Sequence, residues 1–246
     1  MAKNQSTSSF TWADARWLFL KLCITLFLVT VLWVLAYRWI DPPVTLYMLS
    51  KRSEPAPKTQ KTEEIQYKFV ELEEMSMQLP LAVIAAEDQL YLTHNGFDFK
   101  AIKKAFETNI NSKKTVGGST ISQQVAKNVF LWHGRSYLRK GVEMYFTFLI
   151  EVLWGKERIM EVYLNIAEMG DHVFGVHAAC QKFYNTTPEK IGRQQAALIA
   201  ASLPNPIKYS VANPNGYMLR NRRRIVRNMG RLGGTEYINK WLQWKK

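Results

Sequence analysis

Cysteine is scarce in this chain, and the two that occur, Cys23 and Cys180, are too few for a disulfide framework. Cys23 lies in an apolar run that a folded domain could not easily reach, so we expect neither a disulfide nor a cysteine-based zinc site. Acidic residues are also few, because 20 Asp and Glu face 33 Lys and Arg, for a formal net charge of +13. This imbalance predicts an anionic partner, which charge alone leaves open between nucleic acid, a lipid surface and a phosphorylated substrate.

The sequence also lacks internal repeats and any sustained alternation of polar and apolar residues. Without such alternation an extensive sheet is not expected, whereas apolar residues at helical spacing recur from Pro80 onward. With 246 residues, 47% of them hydrophobic, the chain can bury a substantial core. We therefore expect an all-α domain, with Asp98 capping one helix and another helix running from Thr187 to Leu203.

One long run without charge, LCITLFLVTVLWVLAY, occupies residues 22–37. Extended to 18–40, with Lys21 near one end, it is long enough to cross a hydrocarbon core of about 30 Å. A cleaved signal peptide would be shorter and would end at a small-x-small site, and a buried core helix would show a polar face. We predict a tail over residues 1–17 and a transmembrane anchor over 18–40, whose orientation the flanking charges leave open.

Residues 41–63 are polar and contain proline, which predicts a linker before a domain at 64–246. In this domain Glu87 and Asp88 end an apolar helix and are followed by His94 and Gly96. The helix dipole and partial burial at that end raise the pKa of Glu87 toward the range of a general base. The alternative is a glutamate that faces water or pairs with a cation.

Two further polar segments could hold an anion. The first contains Gly118, Ser119, Thr120, Gln123, Gln124, Lys127 and Asn128. Its backbone N–H groups at a helix start could bind a phosphate, unless the segment is an ordinary capped helix. The second places Arg139, Lys140 and Glu143 on one helix face, either as two cations that hold a phosphate beside an orienting or metal-binding glutamate, or as a solvated ion-pair cluster.

The C-terminal region is strongly basic, with nine Lys and Arg against the single acid Glu236 from Leu219 onward. Because an anchor is predicted in the same chain, an anionic bilayer explains this region better than nucleic acid, for which no motif is present. We expect this region and residues 69–81 to seat the domain on lipid headgroups.

In order and spacing, the polar segments resemble the motifs of the family-51 glycosyltransferases, the peptidoglycan polymerases that join lipid II units. The matching motifs are Glu87-Asp88 through His94 and Gly96, with Tyr91 in place of Phe; Gly118 through Asn128; Arg139-Lys140-x-x-Glu143; Arg158 with Tyr163 and Asn165; and, more loosely, Arg223-Arg224. The resemblance covers about residues 80–229 and is specific because all five motifs occur in order.

The resemblance implies a lysozyme-like helical catalytic domain that elongates glycan strands from lipid II. It would form the β-1,4 bond between MurNAc and GlcNAc with inversion and release undecaprenyl diphosphate. Glu87 and Glu143 would be catalytic, Glu87 as the base and Glu143 orienting Lys140, Arg139 or a divalent ion. The substrate and its diphosphate would be bound by Gly118, Ser119, Thr120, Gln123, Gln124, Lys127, Asn128, Arg139 and Lys140. Asp88, His94, Gly96, Arg158, Tyr163 and Asn165 would complete the motifs.

No Ser-x-x-Lys occurs, so a monofunctional enzyme without an acyl-transferring domain is implied. The sequence requires no cofactor and leaves open Mg²⁺ or Mn²⁺ at the diphosphate. The implied partners are lipid II, the growing glycan strand and membrane lipids, with other cell-wall synthesis or division proteins left open and no nucleic acid. The implied location is the bacterial cytoplasmic (inner) membrane, with the N-terminus inside and the catalytic domain on the outer, periplasmic side.

Two other function classes are alternatives to this one. A lytic transglycosylase or lysozyme would share the helical fold and a catalytic glutamate, but its Glu-Ser motif is missing. A non-enzymatic membrane scaffold would not need both Glu87 and Glu143.

Overall fold

The computed structural model describes residues 11–52, 64–111, 117–132, 134 and 136–242. Within these residues the chain forms eleven α-helices: α1 (Trp12–Ala36), α2 (Leu46–Arg52), α3 (Gln78–Glu87), α4 (Phe99–Asn111), α5 (Ile121–Phe130), α6 (Tyr137–Leu153), α7 (Gly155–Ile166), α8 (Gly175–Tyr184), α9 (Arg193–Ser202), α10 (Gly216–Arg231) and α11 (Thr235–Leu242). Three short strands accompany them: β1 (Gln66–Tyr67), β2 (Glu168–Gly170) and β3 (Val173–Phe174). The prediction of a helical domain behind an N-terminal apolar helix is confirmed.

Helix α1 is 25 residues long and is the one described helix that is long and apolar enough to cross a membrane. Its start is fixed by a capping box, in which the Thr11 hydroxyl accepts a hydrogen bond from the backbone N–H of Asp14 and the Asp14 carboxylate accepts one from the backbone N–H of Thr11. Apolar side chains from Leu18 to Leu32 are exposed, as expected of a helix that faces lipid. The chain is therefore membrane-anchored.

The C-terminal third of α1 packs against α6, and the two helices run in the same direction. The hydroxyls of Thr30 and Tyr145 share a hydrogen bond of 2.7 Å, and Trp154 Nε1 donates to the carbonyl oxygen of Val34 at 2.7 Å. Trp33 lies edge-on against a stacked pair of phenylalanine rings from α5 and α6. The end of the anchor is thus part of the core of the domain.

Arg158 of α7 holds the chain where it leaves the anchor. Its Nη1 lies 2.9 Å from Asp41 Oδ1, and its Nε and Nη2 donate to the carbonyl oxygens of Tyr37 and Ile40, each at 3.1 Å. Nη1 also donates to Glu161 at 2.6 Å. A planar guanidinium with five donors can make all these contacts at once, which a lysine could not.

Part of the predicted linker is folded. Residues 46–52 form α2, which packs against α5 and buries Met48 completely, whereas 53–63 lie outside the described residues. A three-stranded sheet of order β1-β3-β2 lies beside this helix, with β1 parallel to β3. His172, in the turn between β2 and β3, places Nε2 3.1 Å from the carbonyl oxygen of Lys51 and so ties the end of α2 to the sheet.

The core of the domain consists of α3 packed between α9 and α10, and of α5 packed against α6 and α7. Residues Val70, Leu72 and Met75 belong to this core and are at most 7% exposed. The expectation that residues 69–81 contact headgroups is therefore wrong for these side chains, because their apolar surface is covered by the protein.

One predicted helix has different bounds. The helix expected from Thr187 to Leu203 is split into a 3₁₀ turn, Pro188–Lys190, and α9, because Ile191 and Gly192 are extended. Gly155, at the start of α7, has a φ of +79° that favours glycine. Asp98 caps α4 as predicted, its carboxylate accepting from the backbone N–H of Ala101 at 2.8 Å.

Candidate active site

Glu87 is the last residue of α3, as predicted, and is partly buried. Gln124 of α5 donates from Nε2 to Glu87 Oε2 at 2.9 Å, and the Tyr163 hydroxyl donates to Gln124 Oε1 at 3.1 Å. Burial raises the pKa of Glu87, whereas the Gln124 hydrogen bond and the charge of Arg224 lower it. These contacts orient the carboxylate, and among the described residues no hydrogen bond reaches its Oε1.

Asp88 joins the end of α3 to the start of α5. Its Oδ2 accepts from the backbone N–H of Ile121 at 3.1 Å, and His94 Nε2 lies 3.0 Å from its Oδ1. A carboxylate at a helix N-terminus is favourable, because the unpaired N–H groups there carry partial positive charge. Asp88 and His94 therefore set the distance between Glu87 and α5.

The second polar segment is a capped helix start. The Thr120 hydroxyl accepts from the backbone N–H of Gln123, and the Gln123 side chain accepts from the backbone N–H of Thr120 at 3.0 Å. Thr120 also donates to the carbonyl oxygen of Gly96 at 2.7 Å. Both capping side chains are buried and their oxygens bond to the chain, so they shape the loop that presents Gly118 and the exposed Ser119.

The third segment forms a cation cluster around Glu143, which is 3% exposed. Lys140 Nζ donates to Glu143 Oε1 at 2.5 Å, and Arg139 Nη1 donates to Oε2 at 3.3 Å. Lys127 of α5 faces the same cluster. Its side chain reaches into an open cavity, yet desolvation by the surrounding protein lowers its pKa, and the charge of Glu143 raises it. Three cations thus surround one carboxylate.

A cavity of about 740 Å³ lies beside this cluster. It is lined by Tyr47, Lys51, Gln124, Lys127, Asn128, Leu131, Trp132, Gly134, Arg139, Tyr163, Ala167, Glu168, Leu203, Pro204, Asn205, Pro206 and Ile207. A second cavity of about 200 Å³ is lined by Glu87, Asp88, Gln89, Leu90, Asp98, Ala101, Gly117, Gly118, Ser119 and Thr120. We name them the cation cavity and the Glu87 cavity. Gln124, which lines the first and bonds Glu87 in the second, lies between them.

The remaining motif residues lie outside both linings. Arg158 contacts the end of the anchor, and the Asn165 side chain pairs with the backbone N–H and carbonyl of Val70 at 2.9 and 2.8 Å. Gly96 has a φ of +84°, and a Cβ there would come within 2.9 Å of Thr147 and Glu151. These three residues position the elements of the site.

Sequence reasoning missed three residues that line the cation cavity: Tyr47, Lys51 and Glu168. Arg224 was matched to the fifth motif but was given no role, and in the structure its charge lowers the pKa of Glu87. The other three lie in segments without a motif, so only their proximity in the fold reveals them.

Comparison with known proteins identifies the family of the chain. A model of the family described as Transglycosylase matches residues 54–230. The chain is 46% identical over 200 residues to the biosynthetic peptidoglycan transglycosylase of Pasteurella multocida, covering 81% of each protein. It is 43% identical over 225 residues to that of Shewanella oneidensis, covering 91% of this chain and 92% of the relative. It is 42% identical over 229 residues to that of Haemophilus influenzae, covering 93% and 92%. The chain therefore belongs to the transglycosylase family.

Proposed function

We propose that this protein is a peptidoglycan glycosyltransferase that elongates glycan strands from lipid II. The name of its relatives, biosynthetic peptidoglycan transglycosylase, supports a role in peptidoglycan synthesis. The observation that carries the proposal is the arrangement on α5. Its Gln124 bonds the carboxylate of Glu87, and its Lys127 faces the cation cluster around Glu143. A candidate base and a cationic site for a diphosphate are therefore held by one helix.

Glu87 is the proposed base. The 4-hydroxyl of the acceptor GlcNAc attacks the anomeric carbon of the MurNAc at the end of the growing strand, and Glu87 takes the hydroxyl proton. The bond from that carbon to the diphosphate oxygen breaks on the opposite face, so the configuration inverts. A raised pKa suits this step, because a base near the working pH accepts a proton more readily than an ordinary glutamate.

The leaving group, undecaprenyl diphosphate, carries negative charge and needs cations more than it needs a proton. Arg139, Lys127 and Lys140 supply them. Lys127, Asn128 and Arg139 line the cation cavity, and Lys140 pairs with Glu143 beside it. Glu143 keeps Arg139 and Lys140 at a fixed spacing and reduces their mutual repulsion in the free enzyme. It is a positioning residue in this proposal.

The surroundings of Glu143 do not fit Mg²⁺ or Mn²⁺. Each of its oxygens already accepts a hydrogen bond from a cationic side chain, Lys140 or Arg139, and these positive charges oppose a divalent cation at the same carboxylate. In this proposal the diphosphate is neutralised by side chains.

The membrane is part of the proposed reaction, because both lipid substrates stay in it. Phe99, Phe106 and Ile110 of α4 are exposed by 74%, 66% and 66%, and Phe148 and Val152 of α6 by 59% and 63%. These apolar side chains support contact between the domain and lipid. We propose that the N-terminus lies in the cytoplasm and the domain on the outer face of the cytoplasmic membrane, where lipid II is polymerised.

The test is polymerisation of purified lipid II by the detergent-solubilised protein beside Glu87→Gln, with Glu189→Gln as a control at an exposed glutamate. Lysozyme-sensitive glycan from the wild type and the control, and none from Glu87→Gln, is the expected result. Equal polymer from all three would keep the reaction and overturn the base. No polymer from the folded wild type would favour the scaffold class.

A further inference from the structure

The wall of the cation cavity includes a segment that the family match leaves out. Tyr47 and Lys51 line this cavity, yet both precede residue 54, where the match to the family begins. They belong to α2, the short helix between the anchor and the domain. The juxtamembrane segment therefore shares a cavity with Lys127 and Arg139.

Helix α2 is held firmly in this position. Met48 is fully buried, and its backbone N–H donates to the Thr45 hydroxyl at 3.1 Å. The Tyr47 ring lies edge-on to Phe174 at a centroid distance of 5.9 Å. With the contact between His172 and the carbonyl of Lys51, these interactions fix Tyr47 as part of the cavity wall.

Tyr47 donates from its hydroxyl to Glu168 Oε2 at 2.7 Å. Glu168 also lines the cavity and is 7% exposed, and its Oε1 has no hydrogen-bond partner among the described residues. Burial and the charge of Asp171 raise the pKa of Glu168, whereas the Tyr47 hydrogen bond, the charge of Lys51 and the backbone N–H of His172 lower it. A buried carboxyl oxygen without a partner is costly, which is the condition expected of a group that pairs with a ligand.

We propose that Glu168 is a substrate-recognition residue, held in place by Tyr47 of α2, whose second oxygen accepts a hydrogen bond from a hydroxyl or amide N–H of a sugar bound in the cation cavity. The inference rests on the proposed function. A sugar joined to a diphosphate must enter the same cavity as the diphosphate. Its hydroxyl and amide groups are hydrogen-bond donors, which the unpaired Oε1 of Glu168 can accept. A cavity of about 740 Å³ is large enough for such a group.

The test is steady-state polymerisation of lipid II by the full-length protein and its variants Tyr47→Phe, Glu168→Leu and the double variant. Each single variant is expected to raise KM for lipid II roughly tenfold, with kcat within about twofold, because one hydrogen bond to the bound sugar is lost or misplaced. If Tyr47 acts through Glu168, Tyr47→Phe adds nothing in the Glu168→Leu background.

Tyr67→Phe is the matched control. The Tyr67 hydroxyl donates to the carbonyl of Pro42 at 2.7 Å, so it binds the same juxtamembrane segment without lining the cavity. Its KM is expected to stay at the wild-type value. Unchanged KM in Tyr47→Phe and Glu168→Leu with a lower Tm would mean that the pair is only structural. Additive effects on KM in the double variant would show that Tyr47 does not act through Glu168. A folded wild type without activity would overturn the proposed function itself.

Discussion

At the scale of single residues, the pKa of Glu87 depends on opposing contributions. Burial and the nearby Asp88 raise it, whereas the Gln124 hydrogen bond and the charges of Arg224 and Lys127 lower it. Glu87 acts as a base only when deprotonated, so activity is lost as the pH falls through its pKa. The acid limb of the pH profile therefore reports this environment.

Gln124→Leu removes the hydrogen bond that stabilises the charged form of Glu87. The pKa of Glu87 then rises further, and the acid limb of kcat/KM moves to higher pH than in the wild type. The measurement is the pH dependence of kcat/KM for lipid II. Gln181→Leu, at an exposed glutamine of α8 outside both cavities, should leave the limb in place. If the acid limb of kcat/KM in Gln124→Leu stays at the wild-type pH, the limb does not report the pKa of Glu87.

Glu143→Gln tests the carboxylate inside the cation cluster. The substitution leaves Arg139, Lys140 and Lys127 close together without their counter-charge, so it should lower the Tm by about 5 °C. Glu107→Gln is the comparison, because Glu107 pairs with Lys103 on the exposed face of α4 and such pairs contribute little. The measurement is thermal unfolding of both variants in detergent. Equal Tm values for Glu143→Gln and Glu107→Gln would contradict the role assigned to Glu143.

At the scale of elements, the contact between the loop after α3 and helix α6 depends on Gly96. A side chain there would meet both a left-handed backbone and the atoms of Thr147 and Glu151. Gly155→Ala separates the two effects, since Gly155 also has a positive φ but nothing lies within 4 Å of a Cβ there. Gly155→Ala should lower the Tm by about 3 °C.

Gly96→Ala should lower the Tm by at least twice the shift of Gly155→Ala, because the close approach adds to the backbone strain. It should also lower kcat, because the carbonyl of Gly96 accepts the hydrogen bond that holds Thr120 at the start of α5. Equal Tm shifts in the two variants would mean that the loop moves away from α6 at little cost.

The sequence predicted those elements whose cause is local. Apolar spacing and the Asp98 cap located α4, and the end of an apolar run located Glu87 at the end of α3. The small sheet could not be found in this way, because strands of two or three residues are too short to show an alternating pattern. Helix α2 was missed because its seven residues are too few to show a helical pattern, and the helix is held by the packing of Met48 against the domain.

The candidate site was predictable to the same extent. The motifs supplied Glu87 and the cations of the third segment, because their spacing places them on one helix or at one helix end. Tyr47 and Glu168 are 121 residues apart in the sequence, and they meet only through tertiary contacts. Arg158 was identified as a motif residue, yet its contacts with the anchor became known only from the fold.

At the scale of the whole molecule, the anchor and the domain form one packed unit. A chain that begins at Leu28 keeps Trp33 and Val34 on α6, whereas a chain that begins at Asp41 loses both. The shorter chain should have a Tm lower by about 5 °C or more, because it exposes the apolar surface that these residues cover. Thermal unfolding in the same detergent compares them. Equal stability would mean that the anchor only rests on the domain.

The contacts between α1 and the domain couple the domain to the thickness of the membrane. A helix whose apolar length exceeds the thickness of the bilayer tilts to fit it. Because Trp154 and Arg158 are hydrogen-bonded to the C-terminal end of α1, a tilt of α1 turns the domain and its cavities with it. We therefore expect the acyl-chain length of the surrounding lipids to change the angle at which the cavities face the membrane, and with it the rate of strand growth.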